Sequence, residues 1–205
     1  MSQKNQFDRV APVYDGLSKL VFGSALINAQ KKNLVNVPLS ANVLVVGGGS
    51  GEILCDDLLN KVKHIDYVEL SAKMLRKAKV RCNSAKVNFI HADIAELTGS
   101  YDAVVANFFL DCFDAESLEE MVIHLKSLMS PNAVLLVTDF KQPQMLWHKV
   151  LLASMLKFFK HASNLEAGKL QPIRQKLKAA GFNEHYLSFG LRGFVFTAAF
   201  KLVKK

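Results

Sequence analysis

Val43-Leu44-Val45-Val46-Gly47-Gly48-Gly49-Ser50-Gly51-Glu52-Ile53-Leu54 is a short β-branched apolar run that empties into four glycines within five residues. A run of this kind, closed by a glycine cluster, reads as a buried strand, a tight turn and then a helix. At the carboxyl edge of a parallel sheet such a turn presents backbone N–H groups to a ligand, and glycine lets the ligand approach closely. The spacing is G-x-G-x-G at 47, 49 and 51. The dinucleotide fingerprint G-x-G-x-x-G would need glycine at 52, where Glu52 stands. A carboxylate there opposes a pyrophosphate, which argues against NAD and FAD.

Outward from this loop the pattern alternates. Apolar, β-branched runs over 42–46, 64–69, 86–91, 102–107 and 133–139 are separated by stretches of helical period. One of these, 115–129, is closed by Ser130-Pro131-Asn132, and a later one, 171–180, is capped by Gly181. Near-continuous apolar strands alternating with helices predict a parallel sheet covered on both faces. The last two runs, 183–189 and 193–202, lie only three residues apart, too few for a crossover helix, so they predict an antiparallel hairpin. The expected fold is therefore α/β: a Rossmann-like three-layer sandwich on a seven-stranded, mostly parallel sheet with its last strand antiparallel.

Length and composition fit one domain over 1–205. The chain has 205 residues, 50% of them hydrophobic, and no repeat or Pro/Gly/Ser linker divides it. Its three cysteines, Cys55, Cys82 and Cys112, are odd in number and form no C-x-x-C pair, which disfavours a disulfide framework and a thiolate zinc site. No apolar leader opens the chain and no apolar stretch is long enough to span a membrane, so a cytoplasmic protein without a membrane span or bound metal is expected. The net charge of +8 is spread over helix-like segments without interleaved aromatics, which reads as solvated faces rather than a nucleic-acid surface. No nucleic-acid partner is expected, and the oligomeric state is not encoded legibly.

Two acidic residues complete a nucleoside site. Glu69 ends the second strand, 22 residues after Gly47, where a carboxylate can accept hydrogen bonds from both ribose hydroxyls of an adenosine. Asp93 ends the third strand at the same edge, where it can accept from an adenine amino group or cap a helix. With these residues in place, the chain resembles the class I S-adenosylmethionine-dependent methyltransferases along nearly its whole length. The glycine loop looks like their first motif, Glu69 like their ribose-binding acid, Ala92-Asp93-Ile94 like their adenine-binding turn, and 101–108 like their fourth-strand motif. The opening Phe7-Asp8-Arg9-Val10-Ala11-Pro12-Val13-Tyr14-Asp15 resembles the start of the ubiquinone and menaquinone biosynthesis methyltransferases.

The resemblance implies S-adenosylmethionine as cofactor, S-adenosylhomocysteine as product and a small-molecule acceptor. It also implies cofactor contacts from Gly47, Gly48, Gly49, Gly51, Glu69, Leu70, Asp93, Ile94 and Asn107, with Tyr14 folding over the cofactor. Two positions depart from the family: Val45 stands where the first motif usually opens with an acidic residue, and 107–113 lacks the arginine usual in the quinone enzymes. The amino-methylating Asn/Asp-Pro-Pro-aromatic motif is also absent.

A sulfonium methyl is electrophilic, so the protein needs chiefly to align the acceptor and exclude water. If the acceptor must lose a proton, Asp111, Asp139, His148 and His161 are the candidate bases, and no single catalytic residue is assigned. The apolar stretches of the N-terminal segment, about 1–40, and of 141–165 are expected to form a cap over a small, partly apolar acceptor. The alternatives are a non-catalytic adenosyl-binding regulator, suggested by Val45, and a methyltransferase acting on RNA or protein, suggested by the charge.

Overall fold

The computed structural model describes residues 22–143, 145–151 and 170–203. Seven strands form one sheet: β1 (Ala41–Val46), β2 (Val62–Val68), β3 (Val87–Ile90), β4 (Tyr101–Asn107), β5 (Met129–Phe140), β6 (Phe182–Gly190) and β7 (Val195–Leu202). Their spatial order is β3-β2-β1-β4-β5-β7-β6. β1 to β5 pair in parallel, and β7 pairs antiparallel with both β5 and β6. The strand order reverses between β1 and β4, the switch point at which open α/β sheets bind ligands.

Alternate residues of the central strands face opposite layers. Leu44, Val104, Ala106, Leu135 and Val137 pack against α4 (Ala115–Ser127) and α5 (Ile173–Ala179). Val43, Val45, Ala103, Val105 and Leu136 pack against α2 (Asp56–Leu59) and α3 (Ala72–Arg81). Both faces of β1 and β4 are thus apolar, as a doubly covered sheet requires. α1 (Ala25–Asn33) lies over β5 and β7, where buried Asn33 donates to the Ala198 carbonyl at 2.8 Å.

The sheet and closing hairpin match the expectation from sequence, and two local features differ. The Ser130-Pro131-Asn132 turn lies inside β5: pairing runs from Tyr101↔Met129 directly to Ala103↔Val134, so the turn bulges out of the ladder that proline could not join. The helix expected directly after the glycine loop is reduced to the four residues of α2, which begins only at Asp56. Fifteen residues separate Val46 from Val62, and a loop reaching residue 55 leaves room for little more than one turn.

Candidate cofactor and acceptor site

The glycine loop is shaped by what it touches. Gly47 is at φ +57°, and a Cβ there would meet the Phe109 ring at 2.6 Å, so the loop after β4 lies directly on the loop after β1. A Cβ on Gly48 would overlap the ring of Tyr67, which is fully buried on β2. Gly51, at φ +85°, faces the α3 backbone, with Ala78 Cα 2.9 Å from where its Cβ would be. Gly49 differs: at φ +66°, nothing among the described residues lies within 4 Å of its Cβ position.

Glu69 binds the same loop. Its Oε2 accepts from the Gly49 N–H at 2.8 Å and its Oε1 from the Ser71 N–H at 2.7 Å, with 7% of the residue exposed. Burial pushes its carboxyl above the usual range, opposed by those backbone donors. The Leu70 N–H also approaches the carboxylate, whose remaining lone-pair capacity is left for ligand donors. Val68 and Ile90 are register partners, and the Glu69 N–H donates to the Ile90 carbonyl at 3.1 Å, which brings the ends of β2 and β3 together. There the His91 ring bonds the Leu70 carbonyl at 3.0 Å, and Asp93 caps a short turn by accepting from Ala95 N–H at 3.1 Å. Ile94 turns its side chain into the core beside α4, and its carbonyl meets His124 at 2.8 Å.

Asn107 ends β4 beside Thr138 of β5. Its Oδ1 and the Thr138 hydroxyl are buried without a hydrogen-bond partner, an arrangement that ordinarily calls for a ligand or water. Phe108 follows at φ +50°, a left-handed conformation costing about 1–2 kcal/mol for a residue with a side chain. It is held there by its N–H donating to the Thr138 carbonyl at 2.7 Å and by its ring, 5.0 Å from Phe140. Backbone strain of this sort concentrates at functional sites.

Beyond Asn107 the candidate bases part company. Asp139 is completely buried at the end of β5; its Oδ1 accepts from the Phe140 N–H at 2.8 Å and its Oδ2 from the Asp111 N–H at 3.2 Å. Burial, then the neighbouring Asp111 charge, holds the Asp139 carboxyl well above the usual range, and burial raises Asp111 as well. Burial of both groups and the charge of the neighbouring carboxylate thus favour the protonated form at Asp139. His148 is buried and stacked 4.8 Å from the Phe194 ring, with Nδ1 accepting from Met145 N–H at 3.3 Å and Nε2 unpartnered. Trp147, Phe22, Phe108, Phe140 and Phe194 gather around the same ends of β4 and β5. Next to them Met145, Leu146 and Val150 are exposed. Tyr14 and His161, and most of the two cap segments, lie outside the described residues.

The raised Asp139 carboxyl has a measurable consequence for folding. A carboxyl raised in the native state holds a proton that the unfolded chain releases above about pH 4, so its contribution to stability is complete below that pH and lost as pH rises through the native value. Asp139→Asn removes this dependence. Urea denaturation at about pH 4.5 and 7.5 is expected to show the variant gaining on the wild type by on the order of 1–3 kcal/mol at the higher pH. Parallel profiles for the two proteins would mean that Asp139 ionises normally.

Sequence reading had missed Tyr67, Ser71 and Arg81. The Tyr67 hydroxyl donates to the Gly49 carbonyl at 3.1 Å, and Arg81 donates to the Ser50 carbonyl at 3.0 Å. No local pattern marks either contact, since each joins positions that only the fold brings together. Among the described residues no group of three His, Cys, Asp or Glu is placed to hold a metal ion, and no helix is long and apolar enough to cross a membrane.

Comparison with known proteins agrees with this geometry. Residues 43–132 match the family model described as a methyltransferase domain. An uncharacterized methyltransferase of Mycobacterium tuberculosis is 35% identical over 119 residues, which cover 55% of this chain and 59% of that relative. The match thus spans about three-fifths of the relative's length. Among solved structures, the putative methyltransferase in complex with the Trm112 methyltransferase activator of Haloferax volcanii superposes with a TM-score of 0.76 at 14% identity, covering 100% of this chain and 99% of that one. The DhpI–SAH complex gives 0.73 at 16% identity, covering 99% and 96%. At these identities the structural likeness establishes the Rossmann-like methyltransferase fold.

Proposed function

We propose that the chain is an S-adenosylmethionine-dependent methyltransferase, with S-adenosylhomocysteine as product and a small, partly apolar molecule as acceptor. The observation that carries the cofactor is the Glu69 carboxylate, held against the Gly49 amide at the edge where β1 and β2 end. When bound, the cofactor supplies an electrophilic sulfonium methyl. Glu69 accepts from the ribose hydroxyls, and Asp93 accepts from the adenine amino group between Leu70 and Ile94. Gly47, Gly48, Gly49 and Gly51 let the backbone approach, and the orphaned Asn107 Oδ1 faces the cofactor's methionine end. Tyr14, assigned to the cofactor by the family resemblance, lies outside the described residues.

For the acceptor, support comes from the aromatic cluster around Phe108, Phe140, Phe194 and Trp147 and the exposed apolar residues beside it. The exposed Leu146 and Val150 and the Trp147 ring beside that cluster would line the acceptor and help exclude water from the transfer on a single domain; of the rest of the expected cap, α1 packs on β5 and β7, and most of the remainder lies outside the described residues. Asp111 and Asp139, both with carboxyls raised by burial, are the groups suited to take a proton from the acceptor. The opening segment resembles that of the quinone biosynthesis methyltransferases, and the three free cysteines suit a reducing cytoplasm.

Saturation-transfer NMR with S-adenosylhomocysteine and NAD offered together tests the cofactor. Glu52 occupies the place of the third fingerprint glycine, so saturation is expected on the first ligand and little on the second. Comparable transfer to both would favour a dehydrogenase.

A further inference from the structure

We infer that Arg81 is a positioning residue for the glycine loop, a role resting on the cofactor reading above. The loop over 47–55 is followed by only four helical residues, so it gains little support from a helix of its own. Its support comes from α3, which grips the site at both ends. At the start of α3, the cap residue Ser71 gives its N–H to Glu69. Near the other end, Ala78 packs against Gly51, and one turn later Arg81 Nη1 reaches the Ser50 carbonyl at 3.0 Å and the Ser50 hydroxyl at 3.1 Å. Glu52 Oε1, 3.8 Å from the same nitrogen, orients the guanidinium.

The geometry gives these contacts a purpose. Ser50 lies one peptide from Gly49, whose N–H meets Glu69 and whose carbonyl meets Tyr67. Arg81 therefore holds Ser50, one peptide beyond the part of the loop that is tied to the Glu69 carboxylate. A donor that holds an acceptor loop in its bound shape raises affinity by removing an ordering cost, without touching the ligand. The two N–H donors of Arg81 Nη1 can serve the Ser50 carbonyl and hydroxyl together, with the Glu52 carboxylate near enough for an electrostatic attraction.

The test combines hydrogen exchange of the ligand-free protein with S-adenosylhomocysteine calorimetry on wild type, Arg81→Ala and Arg81→Lys. In Arg81→Ala the amides of residues 48–52 are expected to exchange faster while the melting temperature stays within about 2 °C, as for a partly exposed substitution away from the core. The dissociation constant is expected to rise about tenfold, and lysine, which keeps the charge, is expected to recover part of that loss. Unchanged exchange at 48–52 overturns the inference whatever the cofactor does. So does a dissociation constant within about twofold of wild type, or a weakening matched by general destabilisation. Failure of the wild type to bind S-adenosylhomocysteine would count against the cofactor reading, and the exchange result would still decide whether Arg81 holds the loop.

Discussion

Glu69→Ala is expected to weaken S-adenosylhomocysteine binding by about 1–3 kcal/mol, the range for hydrogen bonds to a charged acceptor, and to be the most damaging single change at the adenosyl end. Two losses add. The ribose hydroxyls lose their acceptor, and the Gly49 and Ser71 amides, now bonded to Oε2 and Oε1, lose theirs, so the loop and the start of α3 loosen before any ligand arrives. Glu69→Gln keeps one acceptor oxygen and is expected to fall between alanine and wild type. Because burial raises the Glu69 carboxyl, acidification protonates it earlier than an exposed glutamate, and wild-type affinity is expected to decline as pH drops through that raised value. Calorimetry over a pH series reads both effects. An alanine variant that binds as the wild type does would remove Glu69 from the site.

Gly48→Ala is expected to cost about 3 kcal/mol of stability, the upper end of the usual range for overpacking. The added methyl would enter the Tyr67 ring, which has no solvent to retreat into and whose hydroxyl is bonded to the Gly49 carbonyl. Gly49→Ala is the matched comparison. Its methyl meets nothing among the described residues, so its cost is the strain of a positive φ alone, on the order of 1 kcal/mol. Urea unfolding of the two variants should separate them clearly, with Gly48→Ala the less stable. Equal stability would mean that Tyr67 does not fill the space beneath the loop.

The features legible from sequence were those written in local patterns. Runs of valine and alanine in β1 and β4 gave away strands buried on both faces, and the short gap before the last strand forced an antiparallel turn. Glu69 and the glycines were found because a strand end and a turn fix where such residues fall. The helix after the glycine loop was overestimated, since Glu52, Ile53 and Leu54 fit a helical period although the chain turns there and begins its helix only at Asp56. Tyr67 and Arg81 were invisible for another reason. Arg81 sits in a run of lysines and arginines that reads as a solvated face, and only the packing of Ala78 against Gly51 brings it to Ser50. The contact of the Asp111 N–H with the Asp139 carboxylate likewise depends on the ends of β4 and β5 lying side by side.

Everything proposed here depends on an adenosyl ligand at the carboxyl edge of β1, β2 and β3. A titration of isotope-labelled protein with S-adenosylhomocysteine, followed through backbone amide shifts, tests that directly. Saturable shifts are expected at Gly47, Gly49, Leu70 and the Asp93 turn, with the far ends of the same strands, around Ala41 and Val62, unmoved. Amides of the glycine loop that stay fixed up to millimolar ligand, or shifts confined to another face of the sheet, would contradict it.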